Sequence, residues 1–266
     1  WNYYRIDEIS LIPAVPPAKP LAVEASLVNE NASGPTKSIM KFLSEHYASR
    51  TISGQTEFPN GSGAFNELHQ ANRVIEATGD DAPGIVAFDY MRYSPTRGDT
   101  SGTLTEDMIK HYQENNIILS PLWHWNAPAG NTDPSKGFYT SDTDFDLAAA
   151  LANTDSAEYL ALISDMDIIA AELKKFADKD IPLLWRPLHE ADGAWFWWGA
   201  AGAEAQISLW KLMYDRYTHH HGLNNLIWVY THSDRLVEEH YPGDDYVDIV
   251  GFDGYDSNND QNPFIS

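Results

Sequence analysis

Six short apolar runs, each leading into polar or aromatic residues, constrain this chain more than any other feature. They lie at residues 52–55, 84–89, 116–123, 181–185, 226–230 and 247–253. Most are continuous in Val, Ile, Leu and Phe, without the alternation of a sheet that faces water on one side. Strands of this kind are buried on both faces, which calls for parallel pairing under a cover of helices. The segments between them supply the cover. Thr36 to Tyr47, Ala64 to Ala77, Thr105 to Asn115, Ser156 to Ala177 and Ala203 to His220 carry apolar residues at helical spacing.

The strand exits decide between an open sheet and a barrel. They read Gln55, Asp89, Trp123-His124, Arg186 to Glu190, Thr231-His232 and Asp253 to Tyr255. Polar groups at the end of every strand build the active-site rim of a β/α barrel. An open nucleotide-binding sheet should instead show a glycine-rich turn after its first strand, and Gly61-Ser62-Gly63 follows a proline loop. The expected fold class is α/β, a (β/α)8 TIM barrel with about six of its eight strands in this sequence. The catalytic barrel is expected over 35–266. The seventh and eighth strands are expected to lie beyond it.

The chain has 39 acidic against 17 basic residues, a net charge of -22. Such a surface repels phosphate backbones, anionic membranes and acidic polysaccharides, so neutral partners are expected and nucleic acid is not. No apolar stretch approaches membrane-spanning length. The absence of cysteine excludes disulfides, thiol catalysis and cysteine-bound metals.

Residues 1–13 alternate as a short strand with a break, and residues 14–34 open with a stiff proline-rich spacer. A lone strand cannot fold by itself. Two readings stay open from these residues alone: a tail, or the last strand of an upstream domain.

The chemistry concentrates in Leu184-Trp185-Arg186-Pro187-Leu188-His189-Glu190 and the following Asp192 to Gly199, which holds three tryptophans and a phenylalanine. An indole floor holds the apolar face of a sugar ring while a nearby carboxyl group moves the proton. Glu190, at the end of the fourth strand, is the expected general acid, with a pKa raised by burial beside Trp195 and Trp197. The alternative is a structural pair with Arg186. His124, between Trp123 and Trp125 at the third strand's exit, is expected to touch ligand. His189 adjoins Glu190, so regular strand geometry points it the other way unless the strand end breaks the alternation. Three tryptophans in four residues cannot all face one interior, and Trp195 is the one expected to line a cleft. Asp253 and Tyr255 end the sixth strand. A zinc site on His124, His189 and His232 is the competing use of the histidines. The helical HExxH pattern is absent, and neither a metal nor another cofactor is expected.

These blocks resemble glycoside hydrolase family 26, best known for endo-β-1,4-mannanases. The resemblance spans most of residues 35–256. It rests on Arg186 to Glu190 with Gly193, Trp195 and Trp198-Gly199, and on Trp123 to Pro128, Ser53-Gly54-Gln55 and Tyr241 to Tyr255. It implies a barrel and a retaining double displacement, with Glu190 as acid/base. It also implies substrate contacts from His124, His189, Trp195, Asp253 and Tyr255, with Arg186 and Trp123 in support. The nucleophile it implies is a second glutamate after a seventh strand, outside this sequence; Glu238 and Glu239 do not take that role. The opening Trp1 to Leu11 is similar to the last strand of a family 35 carbohydrate-binding module. That similarity implies a modular, secreted, monomeric enzyme acting on neutral β-mannan. Exo-mannobiohydrolase, β-1,3-xylanase or lichenase specificity remains open, as does a non-catalytic polysaccharide-binding barrel.

Overall fold

The structure is a computed structural model that describes residues 23–57, 69–79, 82–98, 102–233 and 238–254. Six parallel strands pair in chain order: β1 (Gly54–Thr56), β2 (Ile85–Asp89), β3 (Ile118–Leu122), β4 (Leu183–Trp185), β5 (Leu226–His232) and β6 (Ile249–Phe252). Between them run α1 (Gly34–His46, preceding β1), α2 (His69–Thr78), α3 (Leu104–Glu114), α4 (Leu147–Ala152), α5 (Ala157–Ala177), α6 (Trp197–Ala200) and α7 (Ala203–Asp215). Strand–helix–strand connections without a strand skipped curl the sheet in one direction, giving six strands of a (β/α)8 barrel. Both the strand number and the parallel order follow the pattern expected from the sequence.

Alternation along each strand separates two apolar layers. Ile85, Ile118, Leu184, Ile227, Val229 and Ile249 face the concave side, where Met40 and Leu43 of α1 meet them. The registers bring them side by side, as with Ile85 opposite Ile118 and Leu184 opposite Ile227. Val86, Phe88, Leu119, Trp185, Trp228 and Tyr230 face the helices. That outer layer is aromatic: Phe88 lies against Phe176 of α5, and Trp228 against Trp210 and Tyr214 of α7. In α5 the buried residues Leu162, Met166, Ile169, Leu173 and Phe176 recur every three or four positions, so one stripe covers the sheet.

Helix starts follow capping chemistry. Ser33 caps α1 with Pro35 in its first turn, Asp146 caps α4, and Ser156 caps α5. Glu57, buried just past β1, accepts the backbone N–H groups of Gln70 and Ala71 at 3.0 and 2.6 Å. It thereby satisfies otherwise orphaned donors at the start of α2. Helix α7 passes at Arg216 into a π-helical turn, Arg216–His220, so the helix expected to run on to His220 widens in its final turn. Among the described residues no helix is long and apolar enough to cross a membrane.

The segment before α1 packs on the barrel earlier than the Pro35 boundary expected from the sequence. Asn29 and Ala32 are buried, and the Ser33 N–H donates to the Asn224 carbonyl at 2.8 Å. Asp248, just before β6, accepts from the N–H groups of Val28 and Trp228, both at 2.7 Å. One carboxylate thus ties the entering chain to β5. The expected upstream strand over 1–13 and residues 14–22 of the linker expected over 14–34 lie outside the described residues. Asp248→Ala leaves two backbone donors without their acceptor, and is expected to cost about 2–3 kcal/mol in urea unfolding. A change below about 0.5 kcal/mol removes the tie from the account.

Candidate active site

The site begins where β4 stops. After Trp185 the backbone turns left-handed at Leu188 (φ 48°), Glu190 (φ 54°) and Ala194 (φ 57°). Non-glycine residues rarely hold this region, at about 1–3 kcal/mol each, and do so where the surroundings over-determine them. Here the surroundings are hydrogen bonds. The Glu190 N–H donates to the Thr231 carbonyl of β5 at 3.3 Å, and Gly193 N–H returns to the Glu190 carbonyl at 3.0 Å. Asp192 accepts from the backbone N–H and hydroxyl of Ser233, both at 2.9 Å. The exits of β4 and β5 are therefore locked together.

Each of the three indoles after this turn has its own acceptor. Trp198 donates to the His189 carbonyl at 3.0 Å, and Trp197 to the Trp125 carbonyl at 2.6 Å. Trp195 donates to Oε2 of Glu190 at 3.0 Å. Trp197 and Trp198 are buried, whereas Trp195 is 41% exposed. The Trp197 ring packs on Trp125, Phe145 and Trp198. Glu190 itself is 6% exposed. Its carboxyl group is under the edge of an indole that reaches solvent.

The histidines are arranged in depth. Nδ1 of His124 lies 2.5 Å from Asp89, whose other oxygen accepts the His124 N–H at 2.9 Å. Nε2 of His124 meets Nε2 of His189 at 3.2 Å. A carboxylate can only accept, so Nδ1 of His124 carries a proton. With His124 neutral, its Nε2 accepts from Nε2–H of His189, an assignment made from the partners. Nδ1 of His189 is then a bare acceptor, in keeping with its lack of a hydrogen-bond partner. Burial, then the charge of Arg186 and the neighbouring His124, pushes the His189 pKa well down and keeps the ring neutral. His189 is only 2% exposed, packed on Phe196 and Trp198. The sequence expectation placed both histidines against ligand. In this structure His124 is the partly open ring and His189 supports it from below, because the left-handed turns at positions 188 and 190 fold His189 under its neighbour.

Arg186 does not make the pair with Glu190 weighed from the sequence. Its guanidinium donates to Asp253 at 2.6 Å and to the Thr231 hydroxyl at 3.2 Å. This holds Asp253, at the end of β6, on the same rim as Glu190. Tyr255 lies outside the described residues. Trp123 is buried, donates to the Ser94 hydroxyl at 3.0 Å and stacks on Trp125. His232 bonds the Ser233 carbonyl and packs on Phe252, away from the other two histidines' contacts. Among the described residues no group of three or more His, Asp or Glu is poised to hold a metal ion.

Two residues without a role in the sequence reading prove structural to the site. Asp89 orients His124 from the next strand, 35 residues away. Asp165 of α5, 4% exposed, accepts the Trp125 indole N–H at 2.8 Å. Desolvation pushes its carboxyl up to about 7, against a smaller lowering from the indole bond. Asp89 was visible as a strand-end acid, and Asp165 only as a polar break in an apolar helix stripe.

A β/α barrel whose strand-end carboxyl group sits under an exposed indole defines the class. The chain belongs to glycosyl hydrolase family 26: the family's sequence model matches residues 28–264. It is 42% identical over 266 residues to a mannan endo-1,4-beta-mannosidase of Thermothelomyces thermophilus, covering 97% of this chain and 52% of that protein. It is also similar to the crystal structure of the Podospora anserina GH26-CBM35 beta-(1,4)-mannanase, with TM-score 0.80 and 45% identity, over 89% of this chain and 52% of that one. A third likeness is the beta-mannanase from a symbiotic protist of the termite Reticulitermes speratus, solved with gluco-manno-oligosaccharide. Its TM-score is 0.76 at 31% identity, over 87% of this chain and 72% of that one. The chain spans about half the length of the first two relatives.

Two glycines and one acid test this geometry. A methyl group at Gly193 would collide with the Trp195 ring, and one at Gly199 with the Ala191 carbonyl. Gly193→Ala is expected to move the ring and lower activity with a native melting temperature. Gly199→Ala meets backbone, so a loss of about 2 kcal/mol or more is expected in denaturant titration. For Asp165, the folded pKa near 7 stands above an unfolded value of about 3.9. The folded state binds the extra proton between these values, so its contribution to stability is lost as pH rises through that window. Asp165→Asn keeps an acceptor for Trp125 and removes the charge. Its melting temperature is expected to exceed wild type by about 3–6 °C at pH 8, with the gain disappearing near pH 4.

Proposed function

We propose that the protein containing this chain is a retaining endo-β-1,4-mannanase acting on mannan, glucomannan or galactomannan, with Glu190 as its acid/base. The observation that carries this reading is the Trp195 indole N–H donated to the Glu190 carboxyl group from an exposed ring. One structural unit supplies a platform for a sugar and a proton donor beside it. The naming of similar proteins as mannan endo-1,4-beta-mannosidases supports the substrate. The surplus of acidic residues suits a neutral polymer.

In this mechanism Glu190 protonates the glycosidic oxygen as the bond to the anomeric carbon breaks, and the aglycone leaves as an alcohol. A second carboxylate attacks the anomeric carbon and forms a glycosyl ester. Glu190, now ionised, takes a proton from water. The resulting hydroxide attacks the same carbon and frees the nucleophile, restoring the starting protonation state. His124, its two ring nitrogens held by Asp89 and His189, borders the site with a ring of fixed orientation. Asp253, held by Arg186, borders the opposite side. A polymer of this size is met outside the cell, so a secreted enzyme is part of the proposal. An upstream carbohydrate-binding module is another part, and the Podospora anserina GH26-CBM35 mannanase also pairs the family with such a module.

Replacing Glu190 with Ala in the whole protein is expected to lower kcat/KM on mannan by about 10²–10⁴-fold. An aryl glycoside whose leaving group needs no proton should lose far less. Proton NMR of the first products should show the β anomer. Wild-type turnover of mannan by the variant, or faster wild-type hydrolysis of xylan or lichenan than of mannan, defeats the assignment.

A further inference from the structure

The chain enters the barrel through a short turn just before α1. Within it, Asn31-Ala32-Ser33 matches the Asn-x-Ser/Thr acceptor pattern, with no proline in the middle. The Ala32 N–H donates to the Asn29 carbonyl at 3.0 Å and closes the turn. The Asn31 N–H donates to Oδ1 of Asn29 at 2.9 Å, and Nδ2 of Asn29 donates to Oδ1 of Asn224 at 3.1 Å. From α1, Nζ of Lys37 donates to the Glu30 carbonyl at 3.3 Å. Ala32 is buried, so the turn is fixed on the barrel.

The three-residue pattern is common by chance, and the placement of Asn31 is what gives it weight. Asn31 is exposed, and its side chain makes no hydrogen bond among the described residues. The Ser33 hydroxyl, by contrast, is committed to α1. It accepts the Thr36 N–H at 3.3 Å and lies 2.8 Å from the Thr36 hydroxyl. A transferase that reads the Asn amide and the Ser hydroxyl together must therefore act before α1 closes, on the chain as it is made. The turn sits beside Asn224 at the start of β5, whereas the Glu190 N–H meets Thr231 near the other end of that strand. The rise along the strand separates the two by about 20 Å. A bulky group on Asn31 thus projects from the end of the barrel away from the rim. The similar proteins of Thermothelomyces thermophilus and Podospora anserina, at 42% and 45% identity, are fungal, and fungi glycosylate such asparagines on secreted chains. A second match, Asn60-Gly61-Ser62, lies outside the described residues.

We propose that Asn31 is an N-glycosylation site, taking an oligosaccharide from a polyprenyl-pyrophosphate donor during secretion. The inference rests on the reading of a secreted enzyme and adds a covalent modification to it. Nδ2 of Asn31 bonds to the anomeric carbon of the oligosaccharide's terminal sugar. The bond from that carbon to the pyrophosphate oxygen breaks, the lipid pyrophosphate leaves with the electron pair, and one amide proton passes to the transferase. The result is a hydrated, uncharged cover over the segment that enters the barrel, with the substrate cleft left open.

The test is secretion of the whole protein from a yeast host as wild type, Asn31→Gln and Ser33→Thr, followed by peptide mapping. Treatment with peptide-N-glycosidase in heavy-oxygen water turns each glycan-bearing Asn into a labelled Asp, so Asn31 and Asn60 are read separately. Wild type and Ser33→Thr, which keeps both the acceptor pattern and the helix cap, are expected to carry the label at position 31. The treatment should lower the intact mass by about 2 kDa for each occupied site. Asn31→Gln should lose one such step and hydrolyse mannan within about twofold of wild type. Secreted wild-type protein with an unlabelled Asn31 overturns the site, including when Asn60 alone is labelled. A loss of more than about tenfold in kcat/KM for Asn31→Gln overturns its placement away from the cleft. Protein retained inside the host with a bare Asn31 overturns the secretion reading and the site together. A label at position 31 on protein that leaves mannan intact upholds the site and defeats only the mannanase reading.

Discussion

The rim depends on the left-handed backbone at Leu188 and Glu190. A strand that continued straight past Arg186 would send neighbouring side chains to opposite faces. Two left-handed residues with side chains replace that alternation with a tight turn, so that His189 and Glu190 both belong to the rim region. The turn is unfavourable in isolation. It is held by the bond to Thr231, by Asp192 on Ser233, and by the Trp198 indole on the His189 carbonyl. Gly193 and Gly199 leave room for the Trp195 ring and the Ala191 carbonyl to close over it.

On this base the structure keeps its ionisable groups in fixed partnerships. Asp89 accepts the Nδ1 proton of His124, and Nε2 of His124 accepts from Nε2–H of His189. Arg186 is committed to Asp253 and Thr231. Trp195 reaches the Glu190 carboxyl group from the exposed side of the site. Behind them Trp123 and Trp125 stack, anchored by Ser94 and by Asp165. These bonds fix ring orientation and tautomer, and of the four ring nitrogens of His124 and His189 only Nδ1 of His189 is left without a partner.

Much of the barrel was legible in the sequence because burial on both faces leaves a local signature. Continuous runs such as Gly84 to Asp89 and Leu226 to Tyr230 became strands, and the helical spacing over Ser156 to Ala177 became the outward helix α5. Ends were less legible: β4 is three residues long although Ile181 to Trp185 are all buried. Pairing with β3 and β5, not apolarity, decides where a strand is counted. The entering segment around Asn29 and Ala32 read as spacer because its partners, Asn224 and Asp248, lie about two hundred residues away. The family resemblance and the strand-end positions of Glu190, His124 and Asp253 were visible in short motifs. Asp89 was visible as a strand-end acid but not as the partner of His124, and Asp165 only as a polar break in a helix stripe, since each acts through a partner remote in sequence.

The order of strands and helices, the acidic surface and the identity of the rim residues were determined by the sequence itself. Periodicity, charge and strand-end chemistry are properties of neighbouring residues. Only the tertiary structure decided that Arg186 belongs to Asp253, that His189 meets His124, and that the exposed Trp195 indole donates to Glu190. Those outcomes are choices among competing partners. They depend on which strand exits meet across the rim and on a backbone turn that no local propensity favours.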